Sequence, residues 1–299
     1  MLEVVVVGGG PAGLSAALVL GRCRRKTLVL DAGHPRNAAS KAMHGFLSRD
    51  GMPPAEFLDI CRQQLARYNS VEFRRAKVTD VARANDAFTT TLENGETFAS
   101  RMVLLATGLI DECPPLAGFE QFYGRSVHHC PYCDGWEQRD QPLAVYGAHD
   151  EAVDLAAEVR HWSKDVILCS GGKPRFSRKR RQCLERLGIV VIEDPIERLE
   201  GEGDQLRAIR FVTGKALPRT ALFFSPGQFQ RSPFGEKLGC KFDRDNCIRC
   251  AEGAATGIPG LYVAGNASRG LQLVIIAAGE GTEAAFAINE ALIEADAGT

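Results

Sequence analysis

Two cysteines separated by two residues are the most distinctive chemical feature of the sequence. Cys130 and Cys133 stand in the segment Cys-Pro-Tyr-Cys-Asp-Gly, which the local pattern places at the start of a helix. Two thiols at this spacing can close a small-ring disulfide, and a helix N-terminus favours the thiolate that attacks another disulfide. Asp134 directly follows the pair and is the adjacent proton donor. The segment therefore predicts a redox-active disulfide.

Other interpretations of this pair stay open. Two ordinary cysteines would need no partner, whereas a zinc half-site would need two further ligands. His128 and His129 precede the pair and could shuttle protons or complete such a site, but a structural role is favoured for both. Cys247 and Cys250 repeat the spacing, and chance is favoured there over a second redox or metal role. We predict no metal site.

A glycine-rich turn near the N-terminus predicts a dinucleotide site. The pattern G-x-G-x-x-G begins at Gly8, between a strand at residues 2–7 and a helix at 14–24. Gly8 permits a tight turn, Gly10 lets a pyrophosphate approach the backbone, and Gly13 lets the helix pack closely on the strand. Asp31 ends the next strand, where an acid can bind ribose hydroxyls. The complete strand, turn and helix make this signal much stronger than the glycines alone.

A second strand, turn, helix and strand pattern follows at residues 143–170. Such self-similarity is typical of reused nucleotide-binding domains. The sequence therefore predicts an α/β fold with two nucleotide-binding domains, Rossmann-like and of the three-layer ββα type, the first of them discontinuous. We expect the first domain to comprise residues 1–117 and 242–299, and the inserted domain, which bears the redox pair, residues 118–241. A hairpin at 87–98 and a separate buried strand at 101–106 are expected in the first.

Composition excludes several functional classes. The 299-residue chain has a net charge of -1, so it has no general attraction for nucleic acid or anionic lipid. No apolar run is long enough for a signal peptide core or a membrane span. We therefore expect a cytoplasmic protein in which ordinary cysteines stay reduced. The isolated cysteines expected to pack in the core are Cys23, Cys61, Cys113, Cys169, Cys183 and Cys240.

Further segments make a family likeness specific. Ala106-Thr107-Gly108 at a strand end, the run Leu-Tyr-Val-Ala-Gly-Asn at 261–266, and the Cys-Pro-Tyr-Cys-Asp-Gly segment resemble the low-molecular-weight thioredoxin reductases over nearly the whole chain. The resemblance implies FAD at the first glycine turn and a homodimer. It also implies that Cys133 is the flavin-proximal thiol and Cys130 the thiol that attacks the substrate. Asn266 replaces the family's Asp, but it can still donate and accept hydrogen bonds.

The resemblance and the glycine pattern together assign a set of FAD-binding residues. Gln272, Leu273 and Val274 would begin a final helix whose N-terminus stabilises negative charge on the reduced ring. The loop around His44 looks like the version in disulfide-forming relatives, and Val78 matches a position that meets adenine through its main chain. The complete predicted set is Gly8, Gly10, Pro11, Ala12, Gly13, Asp31, Ala32, Arg36, Asn37, His44, Gly45, Val78, Ala106, Thr107, Gly108, Gly265, Asn266, Gln272, Leu273 and Val274.

The second glycine turn departs from the family. His149 stands where the close-approach glycine belongs, and Asp150 and Glu151 would place carboxylates where a phosphate needs donors. The family's His-Arg-Arg segment is absent, and a basic run at 173–181 follows instead, which is favoured as a solvated helix face but could grip a phosphate or an acidic donor protein. These losses resemble the deep-branching thioredoxin reductases that do not use pyridine nucleotide. In those, ferredoxin supplies electrons, or a second flavin or other ligand occupies the NADPH site.

The function expected from these features is an FAD-dependent disulfide oxidoreductase that does not use NADPH in the usual way. Its substrate is expected to be a thioredoxin-like protein or a small dithiol or disulfide. Three alternatives stay open: an ordinary NADPH-dependent thioredoxin reductase, an oxygen-linked oxidase of small dithiol metabolites, and a redox-responsive module that holds FAD without turnover.

Overall fold

The chain alternates strands and helices from its first residues onward. The computed structural model describes residues 1–268 and 270–298. The strands are β1 (Leu2–Val7), β2 (Thr27–Asp31), β3 (Val71–Arg75), β4 (Val78–Ala84), β5 (Ala87–Leu92), β6 (Thr97–Leu105), β7 (Leu109–Glu112), β8 (Val127–His128), β9 (Leu143–Tyr146), β10 (Val166–Cys169), β11 (Val190–Ile192), β12 (Ile196–Glu202), β13 (Gln205–Phe211), β14 (Ala216–Pro218), β15 (Ala221–Phe224), β16 (Gly227–Gln230) and β17 (Leu261–Val263).

Helices connect most of the parallel strands. The α-helices are α1 (Pro11–Arg22), α2 (Pro54–Leu65), α3 (Phe119–Phe122), α4 (Pro131–Asp134), α5 (Asp150–Val159), α6 (Arg178–Leu187), α7 (Phe234–Lys237) and α8 (Val274–Ala297). Two short 3-10 turns lie at Glu252–Ala254 and Gly265–Ala267. None of the helices in the described part of the chain is long and apolar enough to cross a membrane.

The chain forms two compact units. The first comprises Met1–Ala38, Phe46–Ile110 and Gln228–Thr299, and the second comprises Ala39–Gly45 and Asp111–Gly227. The predicted domain boundaries, 1–117 with 242–299 and 118–241, stay a prediction. The assignment of FAD to the first domain and of a nucleotide-like site to the second also stays a prediction.

The first unit is built on a seven-stranded sheet. Its order is β3-β2-β1-β6-β5-β4, with β17 also paired to β6. Strands β3, β2, β1, β6 and β17 run parallel, while β4 and β5 complete an antiparallel meander with β6. The valines of β1 from Val4 to Val7 are buried, as expected for a central parallel strand covered on both faces. Helix α1 packs against α8 so closely that a Cβ on Gly281 would lie 1.9 Å from the Ala12 carbonyl oxygen.

The second unit repeats the parallel arrangement on a smaller scale. Its five-stranded sheet has the order β11-β10-β9-β15-β8, and all its pairings are parallel. Strands β12, β13 and β14 form a separate antiparallel sheet. Apolar side chains of α5, such as Val153 and Ala156, pack on this parallel sheet.

The predicted α/β fold class with two Rossmann-like domains is confirmed by these sheets. Three expected details were wrong. The second strand of the hairpin and the buried strand at 101–106 are one continuous strand, β6. Helix α1 also begins at Pro11, earlier than the predicted residue 14, because a proline at the first helical position needs no N–H partner. Cys23 is exposed rather than packed in the core.

Candidate redox active site

The Cys130–Cys133 disulfide lies at the N-terminus of α4. Cys130 is the extended N-cap residue, Pro131 follows at the first helical position, and the Cys133 sulfur closes the bond at 2.02 Å. The backbone N–H of Cys133 also donates to the Cys130 sulfur at 3.1 Å. Helix N-terminal N–H groups stabilise a thiolate, so this position suits Cys130 for nucleophilic attack once the pair is reduced.

His128 contacts the redox helix from the neighbouring strand. It ends β8, its side chain is only 4% exposed, and its ring lies against Phe223 with centroids 5.4 Å apart. Its Nδ1 lies 3.2 Å from an Asp134 carboxylate oxygen. The residue predicted as a proton donor, which directly follows Cys133, is thus paired with a buried imidazole.

His129 belongs to a second polar group beside the disulfide. The Tyr123 hydroxyl lies 3.4 Å from His129 Nδ1 and 3.4 Å from an Asp111 carboxylate oxygen. The His129 ring also packs edge-on against Phe224. Sequence reasoning missed Tyr123 and Asp111, because nothing in the local pattern links either of them to the cysteine pair.

Exposed aromatic side chains flank the disulfide. Tyr132 and Trp136 are 68% and 64% exposed. The Tyr132 hydroxyl is hydrogen-bonded to Glu158, which raises the pKa of that phenol, and the guanidinium of Arg139 lies 4.2 Å from the Trp136 ring centroid. Large aromatic groups of this kind supply binding energy where they meet a partner. A substrate that approaches Cys130 has aromatic surface available next to it.

Among the described residues, these cysteines are not part of a metal-binding cluster. Within residues 1–268 and 270–298, no group of three or more His, Cys, Asp or Glu side chains could hold a metal ion. Cys247 is buried and Cys250 half-buried, and neither is in a disulfide. Burial raises the pKa of Cys247 to about 11. Such a thiol is a poor nucleophile near neutral pH.

The first glycine turn has the shape that a dinucleotide requires. A Cβ on Gly8, whose φ is +114°, would lie 2.2 Å from the Ala106 carbonyl oxygen, and one on Gly13 would lie 1.9 Å from the Gly8 oxygen. A Cβ on Gly10 would meet nothing within 4 Å. Gly8 and Gly13 are therefore fixed by the protein's own backbone, whereas the space beside Gly10 is open to a ligand.

The surroundings of this turn also fit FAD. The first turn of α1 contains Pro11 and no acidic residue, so its N-terminal donors meet no competing carboxylate of their own helix. Asp31 accepts the Gly9 N–H at 3.2 Å and pairs with Arg75 at 2.8 Å. Ala32, directly after Asp31, is exposed. Arg75 is a contact that sequence reasoning missed, because it comes from β3 rather than from the fingerprint.

Other predicted FAD residues lie in the same unit. Ala106 continues from β6 and donates its N–H to the Val7 carbonyl at 2.8 Å, and Thr107 and Gly108 follow it. The Gly265 N–H, at the turn that contains Asn266, donates to the buried carboxylate of Glu280 at 2.7 Å. Sequence reasoning also missed Glu280, although an acid that follows the apolar start of a helix was a signal.

The remaining predicted contacts are divided between the units. Leu273 is the N-cap of α8 and Val274 its first residue, while Gln272 just before them is hydrogen-bonded to Arg36 and Gln228. Ala12, Asn37 and Val78 also belong to the first unit. His44 and Gly45 cluster instead with the second unit, where His44 Nε2 lies 3.6 Å from a Glu137 carboxylate oxygen.

Residues of the second unit are hydrogen-bonded to the second glycine turn. His149 is the N-cap of α5, and Asp150 and Glu151 form the first turn. Residues 175–177, here called the strap, are tied to this turn: the Arg175 N–H donates to the Ala148 carbonyl at 2.8 Å and the Ser177 N–H to Asp150 at 2.7 Å. The Ser177 bond lowers the pKa of Asp150.

A cleft remains beside the strap. Its volume is about 520 Å³, and it is lined by Ala148, His149 and residues 170–175. Lys173 and Arg175 give it a basic character. A ligand in this cleft would lie near the cations of Lys173 and Arg175. It would also meet the imidazole of His149, which stands at the position of Gly10 in the first turn.

Comparison with known proteins places this architecture in a family. A model of the pyridine nucleotide-disulphide oxidoreductases matches residues 2–281. The chain belongs to this family. A probable thioredoxin reductase of Arthroderma benhamiae is 30% identical over 89% of this chain and 74% of that relative.

Solved structures support the same assignment. A putative thioredoxin reductase TrxB of Bacillus anthracis has a TM-score of 0.94 at 32% identity, and the match covers 99% of this chain and 100% of that one. HlmI also has a TM-score of 0.94, at 38% identity over 99% of this chain and 94% of that one. The expected relation to the low-molecular-weight thioredoxin reductases is confirmed. The chain is a thioredoxin reductase-like flavoprotein, an FAD-dependent disulfide oxidoreductase.

Proposed function

We propose that this enzyme moves electron pairs between FAD and the Cys130–Cys133 disulfide, and between that cysteine pair and a disulfide substrate. We propose that NADPH does not serve as its electron donor in the usual way. The residues that would hold FAD are those of the first glycine turn, Asp31, the 106–108 and 264–266 segments, and the start of α8. When bound, FAD supplies the two-electron redox chemistry of this family.

The contrast between the two glycine turns carries the proposal. At the first, the Cβ position of Gly10 is open and α1 begins without an acid. At the second, His149 fills the equivalent position, Asp150 and Glu151 begin the helix, and the strap is tied across the turn. A pyrophosphate needs close backbone approach and free donors, so the first turn suits a dinucleotide and the second does not.

The chain's own contribution is thiol–disulfide exchange. In the reduced pair, Cys130 at the helix N-terminus attacks a substrate disulfide, and Cys133 then resolves the mixed disulfide. Asp134 is the adjacent acid–base group. The exposed rings of Tyr132 and Trp136 provide contact surface for the partner.

Anaerobic titration of the flavin tests the proposal. NADPH, NADH and reduced ferredoxin would be added in parallel, with dithionite as the control for full reduction. We expect NADPH and NADH at millimolar concentration to leave the flavin oxidised, and ferredoxin to reduce it. Rapid bleaching by NADPH would refute the donor assignment. A ratio of two flavins per chain in the absorbance of the purified protein would instead indicate a second flavin at the second glycine turn.

The basic cleft favours one alternative, an ordinary NADPH-dependent thioredoxin reductase. Lys173 and Arg175 could pair with a nucleotide phosphate although the strap crosses the turn. Replacing both cations, Lys173→Glu with Arg175→Glu, separates the possibilities. Under our proposal, NADPH reduces the flavin neither in the wild type nor in this variant. Under the alternative, the NADPH concentration needed for half-maximal reduction rises.

Mixed-disulfide trapping identifies the substrate. In Cys133→Ser, Cys130 can attack but its adduct cannot be resolved, so the partner stays attached. We expect capture of a cytoplasmic thioredoxin-like protein or of a small dithiol, each presented in its oxidised, disulfide form, because the Cys130 thiolate attacks a disulfide. Capture of the oxidised form of a small dithiol, with oxygen consumed when the reduced dithiol is added to wild type, would favour the dithiol oxidase. Cys130→Ser is the matched control and should capture neither.

We further propose that the protein is a homodimer that associates through α8. Ile275, Phe286 and Ile293 are exposed and fall on one helical face, since their spacings are close to whole turns. A single apolar face can meet its own copy about a two-fold axis. Phe286→Glu should convert a dimer to a monomer in light scattering, whereas Glu185→Lys, a charge reversal at an exposed position of α6, should not.

A further inference from the structure

We propose that Arg75 is a positioning residue that holds the carboxylate of Asp31 in the orientation that accepts hydrogen bonds from the adenosine ribose of FAD. The proposal rests on the binding of FAD proposed above for the first glycine turn. It names a residue that makes this site selective for the hydroxyl groups of a ribose. Arg75 lies outside the glycine pattern and is not among the residues that the sequence predicts to bind FAD.

The register of two parallel strands brings Asp31 and Arg75 together. Asp31 is the last residue of β2 and Arg75 the last residue of β3, and the two are directly paired in the sheet. The N–H of Ala76, the next residue, donates to the Asp31 carbonyl at 3.0 Å. In open parallel sheets, ligands bind at the carboxyl ends of the strands. The pair therefore stands at the edge of the sheet where a dinucleotide would bind.

Two donors fix the carboxylate of Asp31. The Gly9 N–H donates to Oδ1 at 3.2 Å, and Nη1 of Arg75 donates to Oδ2 at 2.8 Å. Because each oxygen has its own donor, the carboxylate cannot turn about the Cβ–Cγ bond without breaking a hydrogen bond. A carboxylate offers about four lone-pair sites, so about two remain for ribose hydroxyl groups. The Asp31 side chain is 16% exposed, which leaves part of it open to a ligand.

Arg75 is itself held against Gly33, two residues after Asp31. Its Nη2 donates to the Gly33 carbonyl at 3.2 Å. A Cβ on Gly33, whose φ is +85°, would lie 1.9 Å from Cζ of Arg75, so the guanidinium occupies the space that a side chain at residue 33 would need. The planar guanidinium presents two donors in fixed directions, one toward each partner. Arg75 therefore joins the end of β2 to the loop that follows it.

Loss of Arg75 should change ligand selectivity more than stability. Without its donor, Oδ2 of Asp31 is free to turn, and a ribose that binds must order the carboxylate itself. The Arg75 side chain is 60% exposed, and ion pairs of this kind contribute little to the stability of a fold. The urea midpoint of flavin-free Arg75→Met should therefore lie close to that of wild type.

Competition by ADP and its deoxy forms tests the selectivity. The flavin-free chain would be titrated with FAD, followed by quenching of flavin fluorescence, in the presence of ADP, 2′-deoxy-ADP or 3′-deoxy-ADP. At about 1 M NaCl the screening length is about 3 Å, so long-range attraction between residue 75 and the pyrophosphate is suppressed. We expect wild type to bind ADP about tenfold more tightly than at least one deoxy form, because a hydrogen bond to a charged group is lost.

Two arginine variants of β3 show whether this preference depends on Arg75. Arg75→Met should reduce the preference for ADP to about threefold or less, because the carboxylate is no longer held. Arg74→Met is the matched control, since Arg74 is the neighbouring arginine and pairs with Glu72 and Glu96 instead. It should keep the wild-type preference. An unchanged preference in Arg75→Met overturns the role of Arg75.

A double-mutant cycle shows whether Arg75 acts through Asp31. Arg75→Met should raise the Kd of FAD by about threefold to tenfold in the wild-type background. It should leave the Kd nearly unchanged when Asp31 is already Ala, since no carboxylate is left to orient. The cycle uses FAD itself, so it decides the matter even if ADP binds too weakly to compete. An equal loss in both backgrounds overturns the role of Arg75.

Failure of the proposed function has a different signature. If flavin-free wild type binds no FAD, the first glycine turn is not a flavin site, and the proposed function is refuted together with the role of Arg75. If wild type binds FAD but binds ADP and both deoxy forms equally well, Asp31 does not accept hydrogen bonds from the ribose. Only the role of Arg75 is then overturned.

Discussion

A methyl group added at Gly10 should weaken cofactor binding and leave stability nearly unchanged, whereas a methyl group added at Gly13 should lower the stability of the fold. Gly10 has φ of -79° and ψ of -174°, an extended conformation that alanine adopts without strain, and its Cβ would meet nothing within 4 Å. Gly13→Ala would instead place a Cβ 1.9 Å from the Gly8 carbonyl oxygen. The first change affects a space kept for a ligand, and the second affects the packing of α1 on β1.

The magnitudes follow from the cost of overpacking. For the flavin-free protein, we expect Gly10→Ala to change the free energy of unfolding by less than about 0.5 kcal/mol. Gly13→Ala should lower it by about 1–3 kcal/mol, because backbone atoms must move. If a pyrophosphate occupies the space beside Gly10, the added methyl weakens FAD binding by a similar energy, roughly 5-fold to 150-fold in Kd.

Two measurements separate these effects. Urea unfolding of the flavin-free chains gives the free energies, and quenching of flavin fluorescence on titration gives Kd. His149→Gly, at the equivalent position of the second turn, is the matched control and should leave the Kd of FAD unchanged. The reasoning is refuted if Gly10→Ala binds FAD as tightly as wild type, or if Gly13→Ala leaves the flavin-free protein as stable as before.

Three further predictions concern stability and thiol reactivity. Burial raises the pKa values of Cys247 and Cys169 to about 11 and about 12, so neither should be alkylated in the folded protein at mildly alkaline pH, and rapid native-state labelling of either would contradict this. The Ser177 N–H lowers the pKa of Asp150 below its usual 3.8, so the stabilising contribution of the Asp150 carboxylate is present above pH 3.8 and is lost as the pH falls through the lowered pKa. The urea midpoints of wild type and Asp150→Asn should therefore differ near neutral pH and converge in acid. A difference that stays constant with pH would contradict this prediction. Gly281→Ala should destabilise the fold, because its Cβ would lie 1.9 Å from the Ala12 carbonyl oxygen. Gly279→Ala lies in the same helix with open space around its Cβ, and it should stabilise the protein by up to about 1 kcal/mol in thermal or urea unfolding. The reverse order of stability would show that α1 and α8 do not pack as described.

The fold was predictable where chemistry and periodicity are local. The first strand, glycine turn and helix stand within the first residues of the chain, and a buried parallel strand is a continuous apolar run. Strand β6 was divided in error because its pattern changes along its length. It pairs antiparallel with β5 near Phe98 and enters the buried parallel sheet by Val103.

The site was predictable to the same extent. The cysteine pair and the glycines are local motifs, but other residues predicted for the site have partners from distant parts of the chain. Arg75 reaches Asp31 from β3, and Gln228 reaches Gln272, just before α8, from β16. The loop with His44 was assigned as a whole to FAD, yet the structure divides it, since Ala39–Gly45 clusters with the second unit. Contacts of this kind depend on tertiary packing, which no local pattern encodes.

The most direct test of the account is anaerobic addition of a dithiol to the FAD-loaded enzyme. If the Cys130–Cys133 pair exchanges electrons with the flavin, dithiothreitol should bleach the visible flavin band of wild type, and Cys133→Ser should stay yellow under the same conditions. Bleaching of Cys133→Ser at the wild-type rate, or a wild-type chain that binds no flavin, would contradict the account.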